Sequence, residues 1–200
     1  MSLEILAAAL AYLAAGFSII PLMPGSKLPA TKWKPYETLR PTIIQLEAWF
    51  EKTRNNIGLM MGTISGNAFA LDFDDPRLAW FTFDLEKLAQ VTFVQSTPSG
   101  GFHVLFRAEG APIRTTSFRG RGLDLDVKAQ GGYIAVDPSD LGYARYRRLS
   151  PDLRVATVED GAYEALIERL VTRSTSIGVA PLYSAPPRAP QRPLSEWWAP

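Results

Sequence analysis

Apolar and polar positions repeat with two different periods along the chain, and the places where the period switches mark its elements. LEILAAALAYLAA (3–15) is built from the strongest helix formers, Gly16 follows where a C-terminal cap belongs, and FSIIPL (17–22) turns β-rich. Glu4, Tyr12 and Gly16 leave too short an uninterrupted apolar run for a membrane span, so a soluble amphipathic helix is expected instead of a signal or anchor. A long loop punctuated by prolines (23–41) precedes PTIIQLEAWFEK (41–52), where Ile43, Leu46, Trp49 and Phe50 recur at helical spacing. IGLMM (57–61) and AFALDFD (68–74) read as buried strands on either side of a glycine turn, GTISGN. A helix is then expected, with Asp74 or Asp75 as N-cap and Pro76 in its first turn, running to about Gln90.

Further on, VTFVQST and FHVLFRA flank PSGG as one expected hairpin, and LDLDVKA and YIAVDPS flank Gly131 and Gly132 as a second. Thr157, with Asp160 three positions on, has the spacing of a capping box with Asp in place of Glu, and Tyr163, Leu166, Ile167 and Leu170 form the stripe of a last helix. From about residue 175 the chain is rich in proline and reads as a linker or tail, in which Trp197 and Trp198 form a candidate docking element.

With 200 residues and 46% hydrophobic content the chain can bury a full core, in one domain or one domain of two lobes. Its 21 basic and 20 acidic side chains leave a net charge of +1, so any attraction to nucleic acid must come from local clusters. The absence of cysteine excludes disulfides and thiolate zinc sites, and fits a cytoplasmic protein.

The acids change the picture. In LDFDD, Asp72 and Asp74 project to one face of a strand about 7 Å apart, and gathering two carboxylates in a partly buried site is costly without a shared cation, a proton or screening water. LDLDVKA has the same grammar: Asp124, Asp126 and Lys128 share the face opposite Leu123, Leu125 and Val127. Capping and surface exposure explain either stretch alone. Together, carboxylates from two strands can hold a pair of Mg²⁺ or Mn²⁺ ions at the roughly 4 Å spacing used for phosphoryl or nucleotidyl transfer. The only histidine, His103, follows Ser99, Gly100 and Gly101, whose backbone amides can form a concave anion site; PSGG is also an ordinary hairpin turn.

The ordered set LDFDD, TPSGGFH and LDLDVKAQGGYIAVDPS, preceded by GSKLPATKW and GTISG, resembles the primase-polymerase branch of the archaeo-eukaryotic primase superfamily, the catalytic domains of plasmid, phage and related replication proteins. The likeness spans roughly residues 16–143. It implies an α+β fold, with an RRM-like antiparallel sheet core and helices at about 67–174, an N-terminal α/β lobe at about 1–66, and a tail at 175–200. It also implies that Asp72, Asp74 and Asp126 are metal ligands and catalytic acids for two Mg²⁺ or Mn²⁺ ions, and that His103 contacts the phosphates of the incoming nucleotide. Asp124 competes for the third place, and Asp126 is preferred because its distance to Gly131 and Gly132 fits the pattern of the family that the chain resembles. Many relatives carry serine at the position of Gly101, and some insert a zinc element this chain cannot form.

The expected activity is therefore template-directed nucleotidyl transfer by a DNA primase/polymerase. Ser99, Gly100, Gly101, His103 and Lys128 are the expected phosphate clamp. Lys27, Lys32 and Lys34 around Trp33, and Arg119 and Arg121 in RTTSFRGRG, are candidates for DNA contacts. The implied partners are a DNA template and primer, deoxynucleotides or ribonucleotides, and a helicase or other replication module joined through the tail. The rival expectations are a two-metal nuclease or phosphodiesterase, and a non-catalytic DNA-binding replication-initiator module.

Overall fold

A computed structural model describes residues 2–120 and 123–176. Helix α1 (Ser2–Ala14) stops where Gly16 takes up φ +90° and leads into β1 (Ser18–Leu22). Helix α2 (Ile43–Phe50) starts at a reciprocal capping box between Thr42 and Gln45. Strand β2 (Asn56–Met60) follows, then β3 (Ala68–Phe73). The expected single helix after β3 is two short ones, α3 (Pro76–Thr82), capped by Asp75, and α4 (Leu85–Leu88), capped by Asp84. The break falls at Phe83, whose extended backbone lets its ring drop against Phe73, with centroids 6.1 Å apart.

The strands β4 (Val94–Ser96) and β5 (Phe102–Ala108) form the antiparallel hairpin expected around PSGG. The second expected hairpin is corrected. Strand β7 (Leu123–Lys128) pairs with β6 (Thr116–Gly120) and β3, whereas β8 (Tyr133–Val136) pairs with β2 in a different sheet. The glycine turn between β7 and β8 therefore carries the chain from one sheet to the other. Thr157 is also reassigned: it lies in β10 (Ala156–Val158), parallel to β5, and α5 (Ala162–Ser176) begins after Gly161. The short β9 (Arg147–Arg148) completes the set. Most of the proline-rich tail, including Trp197 and Trp198, lies outside the described residues, as does Arg121.

The result is a mixed α+β architecture with two mainly antiparallel sheets. One has three strands in the order β1-β2-β8; the other runs β6-β7-β3-β5-β4-β9, with β10 beside β5. On one face of the large sheet, Phe69, Leu71, Phe73, Val104, Phe106, Leu125 and Val127 pack under α3, α4 and α5. On the opposite face, Ala68, Ala70 and Leu105 meet Ile19, Leu59, Ile134 and Val136 of the small sheet, with Tyr12 of α1 and Phe50 of α2. Arg107 ties the layers together: its guanidinium lies 5.2 Å from the Phe17 ring centroid and donates to the carbonyls of Ala15, at the end of α1, and Ser65. No described helix is long and apolar enough to cross a membrane.

Apolar burial stops short of one corner. The small residues Ala68 and Ala70 let the two sheets close together, while Asp72, next on that face, lies beyond the packed region. Phe69 anchors the helical side through ring contacts with Phe106 and Tyr163. Phe69→Ala is expected to lower the unfolding free energy by about 3–5 kcal/mol in urea titration, leaving the denaturant slope unchanged.

Candidate active site

The site lies on the stretch of the large sheet that the small sheet leaves uncovered, and register builds it. Asp72 on β3 stands opposite Asp126 on β7 and opposite His103 on β5. The row continues outward from Asp126 to Ser117 on β6, and from His103 to Gln95 on β4 and Arg148 on β9. Directly paired residues point to the same face, so one line of polar side chains crosses the sheet, and on β3, β5 and β7 the residues before and after it are apolar.

Charges in this row are tightly engaged. Asp72 Oδ1 lies 3.1 Å from His103 Nε2. Asp126 Oδ2 is 2.7 Å from Lys128 Nζ, and Asp126 Oδ1 is 2.7 Å from Arg119 Nη2. Arg119 also reaches Asp124 Oδ1 at 2.9 Å and Asp74 Oδ2 at 3.8 Å, so one guanidinium is shared among three acids. The structure separates the two acids of β7: Asp126 faces Asp72 and lines the cavity, while Asp124 lies two pairs further along and half exposed.

These contacts bias protonation in opposite directions. Burial works against ionisation of Asp72, but its contact with His103, backed by Lys128, outweighs burial and the repulsion of Asp126 and holds the carboxyl below its ordinary range. Asp126 is likewise depressed: burial opposes its charge, and hydrogen bonds from Lys128 and Ser117 with the charges of Lys128 and Arg119 overcome it. Asp74 is pushed up, by desolvation first and then by Asp72, Asp124 and Asp126. The charge of Arg119 opposes this rise without overcoming it.

A cavity of about 470 Å³ opens over the row. Its floor is Asp72, Asp74, His103 and Asp126, and its walls include Thr97, Ser99, Lys128, Gly131, Gly132, Tyr133 and Tyr146, with Lys27 and Trp33 from the long loop. Trp33 meets Tyr133 edge to face, with centroids 5.5 Å apart. Lys32 and Lys34 are exposed and do not line the cavity. In the PSGG turn, Gly100 has φ +91° and its N–H donates to Thr97 O, which spends one amide expected for an anion. Gly101 passes so close to β3 that a Cβ would stand 2.1 Å from the Phe73 carbonyl oxygen, so this position has no room for a side chain.

Sequence reasoning missed Gln95, Tyr146 and Tyr133. Gln95 sits in the apolar-looking VTFVQST with no periodic signal to mark it, and Tyr146 comes from a loop remote in sequence. The only cue for Tyr133 was its place after the glycine pair.

The donors are all carboxylate oxygens, the set that hard divalent cations prefer, and Asp126 Oδ1 is buried with no directed hydrogen bond despite the nearby Arg119. The chemistry of the donors fits Mg²⁺ or Mn²⁺. Among the described residues, no three acidic or histidine side chains converge at ligand distances, and Arg119 bridges Asp74, Asp124 and Asp126.

The mixed α+β domain thus gathers carboxylates and a histidine on one sheet face. The sequence model of the Prim-Pol family, the N-terminal domain of bifunctional DNA primase/polymerases, matches residues 9–160, and the chain belongs to that family. No curated protein matches it. Membership implies DNA primase/polymerase activity of the nucleotidyltransferase type, general metal dependence, and DNA and nucleotides as partners.

The opposed shifts of Asp72 and Asp74 give a signed test in the metal-free protein. Asp72 is depressed in the native state, so its contribution is present above the unfolded pKa and lost as pH falls through the native one. Asp72→Asn is expected to be less stable than wild type at neutral pH, with the gap closing in acid. Asp74 is raised, so Asp74→Asn is expected to gain stability at neutral pH, and the gain should fade below the ordinary carboxylate range. Urea titrations across that pH range read both.

Proposed function

We propose that this domain extends a primer on a DNA template by metal-dependent nucleotidyl transfer, with Asp72, Asp74 and Asp126 as the acids that hold Mg²⁺ or Mn²⁺. The observation that carries this is the in-register facing of Asp72 and Asp126, with His103 on the next strand, beneath a cavity large enough for a nucleotide. When bound, the divalent ions supply a Lewis acid that raises the acidity of the primer 3′-hydroxyl and neutralises the triphosphate.

The chain's own side chains do the positioning. Lys128 and Lys27 stand at the cavity as point charges for phosphate oxygens, and His103 Nε2 supplies a donor beside Asp72. Ser99 and the free amides of its turn extend the clamp. Trp33 and Tyr133 offer aromatic surface to the base or sugar, and the exposed Lys32 and Lys34 lie on the same loop for the DNA backbone. Arg119 acts as the counter-charge of the acids until cations take that part, and is then free for a phosphate. The large sheet serves as an RRM-like catalytic core over residues 67–174, with residues 1–66 as the N-terminal lobe that β8 joins, 175–200 as a linker, and the cytoplasm as its place of work.

Primer extension with Mn²⁺ and all four deoxynucleotides tests the proposal. Wild type should lengthen the primer, and Asp72→Ala and Asp126→Ala should each lose more than about 100-fold in rate while still binding the primed template. Full synthesis by either variant contradicts the assignment; shortening of the primer without extension makes the protein a nuclease; and unchanged DNA binding with no wild-type synthesis makes it a binding module.

A further inference from the structure

Next to His103 in the polar row sits Gln95, fully buried on β4. Its Nε2 lies 2.8 Å from His103 Nδ1 and 2.9 Å from the carbonyl oxygen of Ala135 on β8, and its Oε1 accepts from the backbone N–H of Asp137 at 3.0 Å. Three fixed partners surround one side-chain amide, and two of them are backbone groups whose roles cannot change: a carbonyl only accepts and an N–H only donates. Turning the amide over would set Oε1 against the Ala135 carbonyl and the NH₂ group against the Asp137 N–H. Burial leaves no water to repair either clash. The NH₂ group must therefore face His103, and a nitrogen that meets a donor must accept, so Nδ1 carries no proton. The proton of the neutral ring is then on Nε2, the atom 3.1 Å from Asp72 Oδ1 at the cavity floor.

We propose that Gln95 is the positioning residue of this site: clamped by the backbone of Ala135 and Asp137, its amide holds His103 as the Nε2–H tautomer, with the donor turned to Asp72 and the cavity. The device also gives a reason for the crossing of the chain from β7 to β8. The strand that leaves the catalytic sheet returns its carbonyl at Ala135 and its N–H at Asp137 to the far side of the histidine. Both side chains that hold the imidazole come from the large sheet, Gln95 of β4 at Nδ1 and Asp72 of β3 at Nε2, and the small sheet fixes Gln95 through Ala135 of β8. The functional half of the proposal, that the fixed donor serves the phosphates of a nucleotide, rests on the nucleotidyl-transfer function proposed above.

Because His103 is the only histidine in the chain, the imidazole nitrogen signals in a ¹⁵N-labelled sample belong to it alone. Long-range ¹H–¹⁵N correlation spectra, recorded without nucleotide or metal above the ordinary histidine pKa range, read the tautomer directly. Wild type should show a protonated Nε2 and a bare Nδ1. Gln95→Met, which keeps the volume and removes the amide, should show a mixture of tautomers, and in primer extension kcat/KM should fall by about 10–100-fold. A wild-type ring protonated at Nδ1, or the same single tautomer in Gln95→Met, overturns the proposal. Should Gln95→Met fail to fold, Gln95→Glu decides: its carboxylate accepts where the amide donated, so the Nδ1–H form should appear, and retention of the pure Nε2–H form overturns the proposal. The spectra require no catalysis. A correct tautomer in a protein that extends no primer rejects the proposed function and leaves the role of Gln95 standing, and extension by a protein with the wrong tautomer does the reverse.

Discussion

Two carboxylates placed opposite each other on neighbouring strands repel, and a sheet does not put Asp72 against Asp126 without arranging something around them. Here the surroundings are graded. His103 answers Asp72, Lys128 answers Asp126, and Arg119 spreads over three acids at once. Desolvation and its three acidic neighbours still push Asp74 upward, so the compensation is partial. A corner of a protein held in that condition is under electrostatic demand for more positive charge, and divalent cations with the phosphates they bring satisfy such a demand in nucleotidyl transfer.

The remainder of the fold exists in part to keep that corner rigid and open. Helices seal one face of the large sheet, and the small sheet seals only half of the other, its closeness permitted by Ala68 and Ala70. Where the cover ends, the same strand face passes from alanine to aspartate. The wall opposite the acids is made from β8 and the long loop, which stand on the small sheet, so the cavity lies between two separately braced layers.

Much of this was legible in the sequence because strand alternation is a local property. The period of two put Asp72 and Asp74 on one face and Asp124, Asp126 and Lys128 on another, and the turn chemistry of PSGG located the β4–β5 hairpin. Pairing between distant strands is not local. That β7 crosses to β3 with Asp126, not Asp124, against Asp72 depends on register, and the sequence chose between them only through the spacing known from relatives. The same limit produced the wrong hairpin: Gly131 and Gly132 supply a turn, but nothing in LDLDVKAQGGYIAV says that the two strands belong to different sheets. In RTTSFRGRG the arginines drew attention to charge and hid the strand that pairs with β7. Gln95 was invisible for a related reason, since its partners Ala135 and Asp137 are backbone groups some forty positions away. The helix break at Phe83 is a packing decision in which the core won over a continuous helical pattern.

Cations gathered at Asp72 and Asp126 would lie within reach of His103, and the lone imidazole reports on them without any need for catalysis. Mn²⁺ titrated into the protein with a deoxynucleoside triphosphate should broaden the His103 ring signals selectively, and the double variant Asp72→Asn with Asp126→Asn should keep them sharp. Ring signals that stay sharp in wild type at Mn²⁺ concentrations supporting primer extension, or that broaden equally in the double variant, would contradict this placement.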